Sequence, residues 1–86
     1  MEIKNAKIRS VHLGNFERFW GAKICFGYGD SGLQCVYFGM ERIRDLLKVF
    51  ELSFWESLPG TNCRVKASEV HVFEIGHFMK ERWILI

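Results

Sequence analysis

Hydrophobic and polar residues alternate most cleanly in "RFWGAKICFGY", residues 18–28. Trp20, Ala22, Ile24, Phe26 and Tyr28 fall on one face, and Phe19, Gly21, Lys23, Cys25 and Gly27 on the other, the period of two that a strand imposes. The small residues of the second face predict that something packs closely there or that the strand bends. Upstream, "MEIKNAKIRSVHL" sets Ile8 two residues after Ala6 with a polar residue between them and reads as a half-buried strand. Asn15 beside Gly14 predicts the turn that follows. Downstream, "GDSG" has the composition of a hairpin loop and "LQCVYFG" is the returning strand. A hairpin centred on Asp30 makes Cys25 and Cys35 cross-strand neighbours, which permits a disulfide without requiring one.

The period then changes. In "MERIRDLLKVFE" the apolar Met40, Ile43, Leu46, Leu47 and Phe50 form one helical stripe, with charged residues elsewhere on the wheel. Such a helix is expected to cover a sheet. "LSFWESLPGTN" predicts a connection with one helical turn, capped by Ser53 with Glu56 completing a capping box and ended by Pro59-Gly60. Phe54 and Trp55 are its expected anchors in the core. "CRVKA" and "VHVFEIGHFM" read as strands, Lys80-Glu81 as a turn, and "RWILI" as a last short strand. The expected fold is a single α+β domain over residues 1–86, with a mostly antiparallel, strongly bent sheet of five to six strands covered by one helix. Closure of that sheet into a small barrel is a further option.

Aromatic residues make up 15% of the 86 residues, enough bulk for the core to need neither metal nor disulfide. The surplus, Trp20, Trp55, Trp83, Phe78 and Tyr37, predicts an interface, with Trp20, Trp55, Trp83 and Phe78 as its foremost candidates and a homo-oligomer as its consequence. A formal net charge of +2, its surplus carried by Lys4, Lys7, Arg9, Arg18 and Lys23 against Glu2, Glu17 and Asp30 in residues 1–39, is too weak for a dedicated nucleic-acid binder, so the surface reads as ordinarily solvated and a nucleic-acid partner is not expected. Cys25, Cys35 and Cys63 lack C-x-x-C spacing. The first residues are polar, and no apolar run reaches the roughly 18 residues of a membrane span. These features lead to the expectation of a cytoplasmic protein with reduced, buried thiols and no membrane partner.

Gly29-Asp30-Ser31-Gly32 reproduces letters that surround the nucleophile of trypsin-like proteases. A serine nucleophile needs a base within hydrogen-bond reach and an oxyanion hole. His12, His71 and His77 are the available bases, but neighbouring turn residues point apart and 86 residues cannot build two barrels. No enzyme is expected. His71 and His77 stand six apart in one predicted strand, too far to chelate one ion at about 3.3 Å per residue, so neither metal nor cofactor is expected. A glycine-punctuated loop does expose backbone N–H groups that suit an anion. On that reading Tyr28, Gly29, Asp30, Ser31 and Gly32 hold a ligand, Tyr28 by stacking, while Arg64, Lys66 and His77 add charge and hydrogen bonds.

Tyr28, Gly29, Ser31 and Gly32, then Trp55, Leu58, Gly60, Arg64 and Val65, then Ile75, Gly76, His77 and Trp83 form a pattern that resembles a family of small bacteriophage and prophage proteins. These carry a Tyr-Gly-Gly-Ser-Gly loop, a Trp-x-x-Leu-x-Gly segment and an Ile-Gly-His…Trp ending. The resemblance spans roughly residues 24–84. It departs at Asp30, where the family has glycine, and in "LQCVYFG", which lacks the family's further glycines. What it implies is a phage-encoded binding protein that counters bacterial immunity inside the host cell, leaning to sequestration of a nucleotide-like immune signal. The alternatives are an inhibitor of a CRISPR or other nuclease effector, or of another host defence protein, and a phage structural or regulatory module associated with nucleic acid.

Overall fold

A computed structural model describes residues 2–29 and 32–86. Six strands form one antiparallel sheet: β1 (Glu2–Phe16), β2 (Phe19–Gly27), β3 (Leu33–Gly39), β4 (Asn62–Ala67), β5 (Val72–His77) and β6 (Trp83–Leu85), in the order β3-β2-β1-β4-β5-β6. A helix, α1 (Met40–Val49), follows β3, and a 3₁₀ turn spans Trp55–Ser57. The long β1 serves two halves: its residues Lys7–Phe16 pair with β2, and Glu2–Lys7 pair with β4 on the opposite edge.

The alternation read from the sequence becomes the two faces of this sheet. Ala22, Ile24 and Phe26 are fully buried on the inner face, with Ile8, Val36, Phe38, Cys63, Val65 and Ile75. Along β1 a strict period of two would turn Val11 and Leu13 outward. A bulge at Arg9 prevents this, since Arg9 and Ser10 together oppose Cys25, so Ala6 and Ile8 before it and Val11 and Leu13 after it all pack inward. A second register shift, between Lys66 and Ala67, acts likewise on β5: Val72 and Ile75 both point in, while Phe73 is displaced to the surface.

In a flat sheet β3 and β5, four strand intervals apart, would be separated by about 19 Å. Instead they touch, and the Gln34 side-chain amide donates to the carbonyls of Ser68 and Glu69 in the β4–β5 loop. The sheet is therefore strongly curled but stays open, because β3 and β6 are not paired with each other; barrel closure is corrected on this point. Helix α1 packs against β2, β3 and β6 with Ile43, Leu46 and Val49 buried, and Arg42 donates to the Leu85 carbonyl. The helix bridges the mouth of the curl and leaves the outer face bare.

Local expectations fail where single turns decide. Gly14 and Asn15 remain in β1, and the turn falls at Glu17–Arg18, with Glu17 at φ 54°. Ser53 does not cap the 3₁₀ turn, whose N-terminal flank is Phe54 with no side-chain cap. Phe54 and Trp55 do not anchor that turn either: Phe54 is 67% exposed, and Leu58 enters the core instead, fully buried. One 3₁₀ turn from Trp55 to Ser57 leaves only the following residue aimed at the sheet, and that residue is Leu58.

At the end of α1, Glu51 takes the left-handed conformation (φ 57°). Its N–H donates to Lys48 O and the Leu52 N–H to Leu47 O, the paired bonds of a Schellman ending. Glycine would be easier at that position. The glutamate there places its carboxylate 2.7 Å from Lys80 Nζ and within 4 Å of both Arg82 and His77, tying the helix end to the β5–β6 turn.

Candidate binding surface

The residues singled out in the sequence separate onto the two sides of the sheet. Tyr28 continues the inner face of β2. Its hydroxyl donates to Gln34 Oε1 at 2.6 Å, and Lys4 Nζ lies 5.3 Å from its ring centre. Burial, with a smaller contribution from nearby Cys63, pushes the phenol above its ordinary range, so it stays a neutral donor. Lys4, Tyr28, Gly32, Leu33, Gln34 and Glu69 line an open depression of about 250 Å³ beside the loop. Gly29 and Gly32 adopt positive φ, as the loop reading requires. Asp30 and Ser31 lie outside the described residues.

Arg64 and Lys66 point to the outer face, away from Tyr28. Arg64 donates from Nε to His77 O and from Nη2 to Lys80 O and Glu81, so its guanidinium organises the β5–β6 turn. Both cations also stand over the Trp83 indole, at 4.8 Å for Arg64 and 4.3 Å for Lys66. Trp83 lies across Gly76: a Cβ at Gly76 would come within 2.5 Å of the ring. His77 faces inward, stacked on Phe50, and its Nδ1 accepts the N–H groups of Met79 and Lys80. The expected ligand set is thus distributed: Tyr28 with the glycines at one end of the inner side, His77 at the β5–β6 turn, Arg64 and Lys66 outside.

Covered glycines recur on the outer face, and they account for the small residues noted in β2. The Phe19 ring lies on Gly21, with a Cβ there at 2.6 Å from it. Arg9 is laid along Gly27, at 2.5 Å from the corresponding position. Cys25 and Cys35 face each other in register between these two glycines and are joined as a disulfide, which corrects the expectation of two buried thiols; Cys35 is exposed. Cys63 is free and buried, and burial pushes its thiol up to about 12.

At the β1–β2 tip Phe16, Phe19 and Tyr37 form a cluster of tilted and edge-on rings with centres 5.4–6.1 Å apart. Trp20 beside it is 64% exposed and Met40 44% exposed. Two open depressions adjoin there, of about 390 and 510 Å³. Of the other interface candidates, Trp55 and Phe78 are exposed and Trp83 is half-buried under its cations.

Three residues that the sequence reading left to an ordinary solvated surface, Lys7, Arg9 and Lys23, share the outer face. Lys7 opposes Gly27, Arg9 covers that glycine, and Lys23 stands in one cross-strand row between His12 and Tyr37. The signal was available, because β2, β3 and β4 contain no Asp or Glu and β1 contains only Glu2. Among the described residues no cluster of His, Cys, Asp or Glu could hold a metal ion, and no helix is long and apolar enough to cross a membrane. No family model, curated protein or solved structure matches the chain.

Proposed function

We propose that this chain is a non-enzymatic binding protein, encoded by a phage or related mobile element, that counters bacterial immunity by covering a surface of a host defence protein. The observation that carries this reading is the aromatic tip, where an exposed Trp20 and Met40 flank the Phe16–Phe19–Tyr37 cluster. Tryptophan and tyrosine dominate interface energetics because they bury large area at small entropic cost. The depressions at this tip are open to solvent, which suits a macromolecular surface better than an engulfed small molecule. The protein acts as a homo-oligomer on this reading, with Trp55 and Phe78 available to a second copy.

A second reading, sequestration of a nucleotide-like immune signal, draws support from the depression around Lys4, Tyr28 and Gln34. One pair of measurements separates them. A defence-protein inhibitor co-elutes with a purified effector complex in size exclusion, and Trp20→Ala abolishes co-elution. A nucleotide trap raises its own melting temperature with a cyclic dinucleotide or an ADP-ribose-derived ligand, by mass action. Failure to co-elute with any of a panel of effectors, together with a ligand-induced shift, would overturn the first reading in favour of the second.

A further inference from the structure

We propose that the outer face of the curled sheet binds single-stranded nucleic acid, with phosphates on Lys7, Arg9 and Lys23 and a base against Tyr37. This goes beyond the reading above: it shares the Phe16–Phe19–Tyr37 cluster with that reading but rests on the cations of the outer face. A net charge of +2 hides a strong asymmetry. The acidic residues sit mainly in the helix and the turns, whereas the outer positions of β1, β2 and β4 carry Lys7, Arg9, Lys23, Arg64 and Lys66. Glu81 and Glu74 pair with Arg64 and Lys66. Lys7, Arg9 and Lys23 form no ion pair among the described residues. Three cations on one face with no counter-charge among the described residues are complementary to a polyanion.

The aromatic ring narrows the class of polyanion. Tyr37 is 48% exposed and directly opposes Lys23, while Phe16 and Phe19 brace it edge-on at 5.4 and 6.1 Å. A braced, half-open ring beside a cation is a stacking platform for an unpaired base, and stacking tolerates any sequence because every base has a π-face. Shape argues the same way. A convex sheet cannot enter a duplex groove, which admits a helix or a narrow ribbon, but a flexible strand can drape over it. The longest dimension of the molecule, 29 Å, limits the footprint to the short end of the usual range of about 4–16 nucleotides. Bonding of Cys25 to Cys35 between Tyr37 and Arg9 stiffens the strand pair that carries the path.

The test is fluorescence anisotropy with labelled oligothymidine and oligouridine of about 15 nucleotides, titrated over salt from about 50 mM upward. Binding is expected, with log K falling against log salt at a slope of roughly −2 to −3.5, for three to five contacts at about 0.7 each. Lys7→Ala/Arg9→Ala/Lys23→Ala reduces that slope by about 2. Tyr37→Ala weakens binding roughly 5- to 150-fold with the slope unchanged, and Tyr37→Phe preserves it. Arg44→Ala/Lys48→Ala, which removes exposed cations from the helix, changes neither quantity. All these side chains lie at the surface, and melting curves verify that each variant folds.

Four results would overturn the proposal: no binding of either oligonucleotide at about 50 mM salt; a duplex bound as tightly as the single strand; the helix variant losing as much as the outer-face variant; or polyglutamate displacing the probe as well as unlabelled oligonucleotide does. No defence protein enters the experiment, so its outcome is independent of the inhibitor reading.

Discussion

Gly76→Ala adds one methyl group where the Trp83 indole already lies. The new Cβ would meet three indole carbons at 2.5, 2.6 and 2.8 Å, well inside contact distance, so the ring must lift. Lifting it weakens the contacts of Arg64 and Lys66 with the ring and the Trp83 Nε1–H bond to Glu81 at 3.0 Å. The cation–ring contacts contribute about 0.5–1 kcal/mol each at such partly exposed sites, and the hydrogen bond to the exposed Glu81 adds little. Overpacking of this kind, the weakened contacts included, costs about 1–3 kcal/mol. Against this, alanine in a strand gains about 0.5–1 kcal/mol over glycine by restricting the unfolded chain. The net expectation is a loss of about 1–2 kcal/mol, or roughly 5–15 °C in melting temperature for a domain of this size.

The assay is thermal and urea unfolding of four proteins: wild type, Gly76→Ala, Trp83→Ala and the double variant. If the indole is the obstacle, the glycine replacement becomes neutral or slightly stabilising once the ring is gone, giving a coupling energy of about 1.5–3 kcal/mol. Gly76 has no positive φ that would supply another cause. Equal destabilisation by Gly76→Ala with and without Trp83 would refute the reasoning.

Three further outcomes are expected. Glu51 is held below the ordinary glutamate range first by its hydrogen bond from Lys80, then by the charges of Lys80, Arg82 and His77; Glu81 is lowered first by Trp83 Nε1–H and then by Arg64. A carboxylate with a depressed folded-state value contributes stability above its unfolded value, about 4.3, and loses it as pH falls through the folded one. Melting temperature is therefore expected to fall on acidification below about pH 5, less steeply in Glu51→Gln/Glu81→Gln; an unchanged acid limb would count against both pairings. A thiol reagent at mild alkaline pH should find no reactive cysteine in the native protein, since Cys63 is fully buried with its thiol raised to about 12, and one after unfolding without reductant. Recovery of three thiols on unfolding without reductant would show that Cys25 and Cys35 are not bonded. Trp20→Ala should leave stability within about 0.5 kcal/mol of wild type while removing co-elution with a defence partner, a separation that urea unfolding and size exclusion read independently.

Much of the architecture was legible because it rests on period. The alternation around Ala22, Ile24 and Phe26 and the helical stripe of Ile43, Leu46 and Phe50 each encode a buried face directly. The cross-strand match of Cys25 with Cys35 followed from counting along a hairpin. What escaped depends on single backbone choices. The bulge at Arg9 appears in the sequence only as a phase slip between Ile8 and Val11, and left-handed Glu17 moved a turn away from Gly14-Asn15. Phe54 and Trp55 look like core residues by composition, yet a 3₁₀ turn of one revolution turned Leu58 inward in their place. The candidate site was less legible still. A net charge sums over the surface and loses the vector that sets Lys7, Arg9 and Lys23 on one face. Arg64 and His77 carry ligand-like chemistry, but the β5–β6 turn already consumes their hydrogen bonds.

The division of β1 between two partners has a consequence for how the chain reaches this structure. Its second half pairs with the strand that follows at once, but Glu2–Lys7 must find residues Asn62–Ala67, roughly sixty positions away. During synthesis these residues leave the ribosome well before their partner strand and are thus among the last of the sheet to acquire a neighbour, with Ile3 waiting meanwhile on an unpaired edge. A chain halted before Asn62 should aggregate rather than persist as a half-built sheet.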